Sequence, residues 1–103
     1  MVKKIENGLV TVQILNDGKV GSKKNMCLPG VAITLPTIGE YDQYDLVEFG
    51  LKNQVDYIAV SFARYLSDLT KLREFLISRD PVHGPNIHII SKIENHEAIQ
   101  NLD

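Results

Sequence analysis

Hydrophobic and polar positions alternate over Gly8–Leu15 ("GLVTVQIL"), a stretch rich in β-branched residues, and this pattern predicts a strand. The preceding "VKKIENG" enters as a half-polar strand, and Asn16-Asp17-Gly18 predicts a turn after it. Residues 19–28 are basic and punctuated by glycine, which fits an irregular strand or loop. Leu28-Pro29-Gly30 and Leu35-Pro36 bracket a short extended segment, and these prolines mark a linker or domain boundary. The period then changes. Glu40–Asn53 carries acids early and Leu46, Phe49 and Gly50 at helical spacing, so it predicts a helix. Val55–Phe62 is a short apolar run of the kind that forms a buried strand. Ser67–Arg79 predicts a second helix, with Ser67 as N-cap and Leu69, Leu72, Phe75 and Leu76 as its apolar stripe. A loop with two prolines, Asp80–Asn86, leads to a second apolar strand, "IHIISKIE", and "NHEAIQNL" opens a third helix.

The first third therefore has the style of antiparallel β, and the rest alternates α-β-α-β-α. That order predicts an α/β fold with parallel strands, right-handed crossovers and burial of the strands on both faces. Two strands do not make an independent sheet, and "AIQNLD" stops without a C-cap, so the expectation is an excerpt of a longer polypeptide. Exposed strand edges lead to the further expectation of self-association or poor order for the excerpt alone. No internal repeat or low-complexity segment is visible.

Composition narrows the function classes. The chain has 103 residues, enough for one small domain and a modest core. Its 11 Lys and Arg against 13 Asp and Glu give a net charge of -2, so no broad basic field points to nucleic acid. No apolar stretch approaches the roughly 20 residues of a membrane span. The single cysteine, Cys27, cannot form an internal disulfide, which suits a reducing, cytoplasmic setting.

The strongest chemical signal lies at the end of the second apolar strand. Residues two apart on a strand share a face, so Lys92 and Glu94 project together beyond His88 and Ile90. A charged pair on a buried strand survives where the strand leaves the core, and in α/β folds ligands bind at the carboxyl ends of strands. A lysine there can neutralise a developing oxyanion, and a carboxylate can hold a divalent cation. The combination suits a phosphorylated substrate brought in with Mg²⁺; the plain alternative is a salt bridge at a strand edge. Ser61 ends the preceding strand and can orient a substrate, or bond to the local backbone. Other candidates carry less chemistry. Lys23 and Lys24 can reach a phosphate as point charges but lack phosphate-loop spacing. His96 reads as a capping or surface residue, His83 and His88 lack metal-ligand spacing, and Cys27 lacks a catalytic signature.

Three motifs carry a resemblance. "IISKIENHE" resembles the signature of the pyruvate kinase family around its active-site lysine. "DGKVGSKKNMCLPGVAITLP" resembles that family's segment leaving the lid domain, and "VDYIAVSFAR" resembles its strand ending in S-F-x-R. Their order and spacing agree across almost the whole chain. The resemblance implies that residues 1–29 are the C-terminal strands of a small β-barrel lid domain. Residues 30–103 would be part of a catalytic (β/α)8 TIM barrel, about two strands with flanking helices. It implies glycolytic phosphoryl transfer from phosphoenolpyruvate to ADP, giving pyruvate and ATP, with Mg²⁺ or Mn²⁺ and K⁺, in a cytoplasmic homotetramer. By position, Lys92 matches the lysine that stabilises charge at the transferring group, and Glu94 matches a metal ligand. Lys24 matches a lid lysine associated with the nucleotide, and Ser61 and Phe62 match residues near the active-site rim.

The chain departs from the family pattern at Asn25, often glycine, where Asn tolerates a left-handed backbone, and at Cys27, often asparagine. The family's second metal carboxylate, K⁺ ligands and a substrate arginine have no counterpart in these residues, so the isolated chain is expected to be inactive. Two other readings compete: a barrel aldolase with a Schiff-base lysine, and a non-catalytic, self-associating fragment.

Overall fold

The computed structural model describes residues 1–24 and 26–103; the reading of Asn25 lies outside the described residues. Two antiparallel strands, β1 (Val2–Glu6) and β2 (Leu9–Val12), form a hairpin. Its turn is Asn7-Gly8, with φ of 50° and 76°, the left-handed pair that a two-residue Asn-Gly connection requires. The strand expected over Gly8–Leu15 is shorter, ending at Val12, with Gln13 still exchanging hydrogen bonds with Met1 at 2.8 and 2.9 Å. Asn16-Asp17-Gly18 makes a bend without a following strand. Every residue of the hairpin is exposed, including Ile5 and Leu9.

A tight turn follows at Leu28–Val31, where Pro29 and Gly30 (φ 77°) occupy the central positions and the Val31 N–H donates to the Leu28 carbonyl at 3.1 Å. This is type II turn chemistry, which needs glycine at the third position. An extended segment then leads to α1 (Glu40–Asp45), which continues as a π-helical stretch, Leu46–Leu51. The helix is capped by the Asp42 carboxylate, which accepts from the Gly39 N–H at 2.7 Å.

The remainder is an α/β unit. Strand β3 (Tyr57–Val60) is followed by α2 (Leu66–Arg79), a short 3₁₀ turn at Gly84–Asn86, β4 (His88–Ser91) and α3 (His96–Gln100). Strands β3 and β4 are parallel neighbours, with Tyr57 opposite His88 and Val60 opposite Ser91. The helical stripe expected on α2 forms the core: Leu72 and Leu76 pack with Val60, Ala63, Ile87 and Leu51, with Leu69 and Phe75 partly buried against them. Leu76 is fully buried, so Leu76→Ala would leave a cavity costing about 2–5 kcal/mol. Gly84 is fixed by packing, since a Cβ there would overlap the Leu76 carbonyl at the end of α2.

Two expectations are corrected. Ser67 is not the N-cap of α2: the cap residue is Tyr65, and the Asp68 carboxylate accepts from the Arg64 and Tyr65 N–H groups at 3.1 and 3.2 Å. A carboxylate bound to two orphan donors outcompetes the shorter hydroxyl. The parallel strands are also not buried on both faces. Val60 and Ile87 face the helices, whereas Tyr57 and Ile90, on the opposite face, are 62% and 49% exposed. The radius of gyration, 17.2 Å, exceeds the roughly 13 Å of a compact chain of this length, because the hairpin stands away from the core.

Candidate active site

The parallel ladder runs one residue past β4, with the Lys92 N–H donating to the Val60 carbonyl at 3.0 Å. That bond fixes the direction of Lys92 and places its side chain beside Ser61, the residue after β3. The Lys92 ammonium donates to Ser61 Oγ at 3.0 Å and pairs with Glu94 Oε1 at 3.1 Å. The other carboxylate oxygen, Glu94 Oε2, accepts from the Phe62 N–H at 2.9 Å. Four residues from two strand ends thus form one connected cluster. Ser61 bonds to Lys92 across the strands rather than to its own backbone. Phe62 contributes its N–H to Glu94.

Phe62 has φ of 53°, in the left-handed region that a bulky side chain rarely enters. Such a conformation costs on the order of 1–3 kcal/mol and persists where its surroundings over-determine it. Here the two residues that follow Phe62 are tied down. Asn95 Nδ2 donates to the Ala63 carbonyl at 3.4 Å, and Asn101 Nδ2 to the Arg64 carbonyl at 3.2 Å. Asn95 also caps α3, its Oδ1 accepting from the Ala98 N–H at 2.8 Å, so the capping suggested for His96 belongs to its neighbour.

The Phe62 N–H, then the Lys92 ammonium, hold the Glu94 carboxyl below its ordinary range. It is therefore ionised at neutral pH, and its side chain is 32% exposed, with lone pairs left for another ligand. These properties fit one carboxylate ligand of a hard divalent cation. No cluster of three or more His, Cys, Asp or Glu stands ready for a metal among the described residues. Glu94 is thus a partial donor set. A cleft of about 940 Å³ runs past the cluster, and Lys24, Ser61, Phe62 and Glu94 all line it together with Cys27 and His96. His83 lies elsewhere, its Nε2 3.1 Å from the Val55 carbonyl, and His88 stacks on Tyr57 at 5.1 Å.

Arg64 was not singled out as a site residue from the sequence. Its guanidinium donates to the carbonyls of Ile33 and Leu35 and to Thr37 Oγ1. The signal available was the arginine of the S-F-x-R motif, but only the fold brings its long-range partners within reach.

The fold and site define a class: an α/β protein that gathers a lysine and an ionised carboxylate at the carboxyl ends of adjacent parallel strands, the usual ligand-binding rim of such folds. The chain belongs to the pyruvate kinase family, whose barrel-domain model matches residues 1–103. It is 42% identical over 98 residues to a probable cytosolic isozyme of pyruvate kinase from Arabidopsis thaliana, covering 95% of this chain and 19% of that protein. A crystal structure of Cryptosporidium parvum pyruvate kinase superposes with a TM-score of 0.77 at 39% identity, over 99% of this chain and 22% of that one. The Cryptosporidium parvum enzyme in complex with ADP matches with a TM-score of 0.62 at 41% identity, over 68% of this chain and 14% of that one. The chain thus spans about a fifth of the length of the curated relatives it matches. Among the described residues, no helix is long and apolar enough to cross a membrane.

Proposed function

We propose that these residues serve within a full-length pyruvate kinase that transfers the phosphoryl group of phosphoenolpyruvate to ADP. The observation carrying this reading is the Lys92–Glu94–Ser61–Phe62 cluster at the ends of two parallel strands, in a chain of this family. The α/β unit is then part of a (β/α)8 barrel, residues 30–103, and the solvent-facing side of β3 and β4 is the side that further strands cover. Residues 1–29 belong to the lid, with the boundary at the Leu28–Val31 turn.

Each residue has a separate task. The Lys92 ammonium stabilises negative charge that develops on the transferring phosphoryl group and the enolate oxygen. Ser61 Oγ holds that ammonium in place. Glu94 is a ligand of Mg²⁺ or Mn²⁺, a cation that, when bound, neutralises phosphate oxygens. Lys24, which lines the same cleft, meets the nucleotide phosphates; that the Cryptosporidium parvum relative has been solved in complex with ADP supports nucleotide binding by the full-length protein. The same reading gives the full-length protein K⁺ as a second cation, a cytoplasmic location and a homotetrameric assembly. A Schiff-base aldolase is a poor fit, because the Lys92 side chain is already engaged by Glu94 and Ser61 rather than free to attack a carbonyl.

Phosphoenolpyruvate-dependent ATP formation by the full-length protein tests the reading; absence of that activity with Mg²⁺ and K⁺ present would overturn it. The isolated 103 residues are expected to be inactive, since they carry a partial metal donor set. In the full-length protein, Lys24→Ala should weaken ADP use more than phosphoenolpyruvate use. Equal losses would assign Lys24 to folding.

A further inference from the structure

The loop between β3 and α2 is anchored from two directions. On one side, Phe62, Ala63 and Arg64 bond to Glu94, Asn95 and Asn101. On the other, Arg64 reaches back across about thirty residues of chain to the extended segment after the Leu28–Val31 turn, donating to the carbonyls of Ile33 and Leu35, the latter at 2.7 Å. Thr37 Oγ1 closes this clamp, 3.3 Å from the guanidinium, and the Asp68 carboxylate receives the Arg64 and Tyr65 N–H groups. The strained residue, Phe62, lies two residues before Arg64 at the start of the anchored loop, and its N–H is aimed at Glu94.

We propose that Arg64 is a positioning residue: by clamping segment 33–37 to the β3–α2 loop, it keeps Phe62 left-handed with its N–H on Glu94, coupling the linker to the metal ligand. This rests on the assignment of Glu94 as a cation ligand. The physical logic is that of any partner one bond removed from a ligand. The Phe62 N–H fixes which carboxylate lone pairs remain available, and Arg64 fixes the Phe62 N–H. Only a planar, multidentate cation can serve, because the acceptors at Ile33, Leu35 and Thr37 must be met together.

The test uses the full-length protein and two readouts, direct Mn²⁺ binding and hydrogen exchange at the Phe62 amide. Arg64→Met should speed Phe62 exchange and raise the Mn²⁺ Kd about tenfold or more, the usual consequence of losing a partner that orients a ligand. Arg64→Lys should restore little, since one ammonium cannot span those acceptors. Thr37→Val, a milder change that leaves the guanidinium–carbonyl bonds in place, should move both readouts the same way by less, and it serves where Arg64→Met folds poorly. A purely structural arginine would lower the yield of folded protein and leave both readouts of the folded fraction unchanged. Unchanged Phe62 exchange, or a Kd within about twofold of the parent in both Arg64→Met and Thr37→Val, overturns the proposal. Glu94→Gln is the separate control: if it leaves Mn²⁺ affinity intact, the ligand assignment fails, and Phe62 exchange alone then decides whether Arg64 positions the loop.

Discussion

The tetrapeptide Lys-Ile-Glu-Asn occurs twice in this chain, as residues 4–7 and 92–95. It is too short to count as a structural repeat. In both copies the lysine and glutamate pair, Lys4 with Glu6 at 2.6 Å and Lys92 with Glu94 at 3.1 Å. The shorter contact is the less informative one. Lys4 and Glu6 lie on the exposed hairpin, 61% and 58% open to solvent, and such pairs contribute about 0–1 kcal/mol. Lys92 and Glu94 are 43% and 32% open, and each has a second partner on another strand end, Ser61 Oγ and the Phe62 N–H. The asparagines diverge as well: Asn7 turns a hairpin at positive φ, whereas Asn95 caps a helix. One sequence gives a solvated ion pair in one place and a preorganised cluster in the other. The difference is the neighbouring parallel strand.

The largest contrast expected between the copies is catalytic. In the full-length protein, Lys92→Met should lower turnover by about 10²–10³-fold, the range for losing a donor aimed at developing charge, or further because a full charge is lost. Lys4→Met should leave steady-state rates close to the parent. Comparable losses at both positions would mean that the neighbouring strand adds nothing to the pair.

A smaller contrast concerns the asparagines. Removing the cap by Asn95→Ala should destabilise α3 by about 1 kcal/mol, seen as faster exchange of the Ala98 amide, and Asn95→Ser should recover most of it. Asn7→Gly should be tolerated, because glycine adopts the positive φ of that turn freely. Loss of hairpin protection in Asn7→Gly would show that the Asn7 side chain does more than permit the turn.

The subtlest contrast is in titration. The Glu94 carboxyl is lowered first by the Phe62 N–H and then by Lys92, so its favourable interactions are complete above the ordinary glutamate pKa of about 4.3. They are lost as pH falls through the lower folded-state value. In Lys92→Met, an NMR titration should find the Glu94 midpoint partly raised yet still below the ordinary range, because the backbone donor remains. A midpoint at or above the ordinary range in Lys92→Met would assign the whole effect to the ion pair.

Much of the site was legible in the sequence because strand geometry is local. The i, i+2 spacing of Lys92 and Glu94 puts both on one face wherever the strand runs, and the parallel pairing followed from alternating helices and apolar runs. The fold class, α/β, was legible for the same reason. Other features depend on contacts that no short period encodes. The clamp of Arg64 on residues 33–37 and the bond from the Phe62 N–H to Glu94 join elements about thirty residues apart. The Asn7-Gly8 dipeptide is a strong hairpin signal, but the β-branched run beyond it extends the expected strand to Leu15, past the end of β2 at Val12. Ser67 reads as the cap of α2 because its hydroxyl sits at the start of the stripe. Asp68, a carboxylate in the first turn, reaches the orphan N–H groups instead.

The proposed division of labour between Lys92 and Glu94 is tested most directly by a Mn²⁺ titration of the full-length protein. Binding and turnover are followed together for the parent, Lys92→Met and Glu94→Gln. Lys92→Met should bind Mn²⁺ nearly as the parent does while phosphoryl transfer collapses, since a group acting on the transition state lowers turnover more than ground-state binding. Glu94→Gln should require a higher Mn²⁺ concentration both to bind and to turn over. If Lys92→Met instead loses Mn²⁺ affinity as badly as Glu94→Gln, and turns over normally once saturated, the pair is a salt bridge that shapes the metal site, and the separate roles assigned to the two residues are wrong.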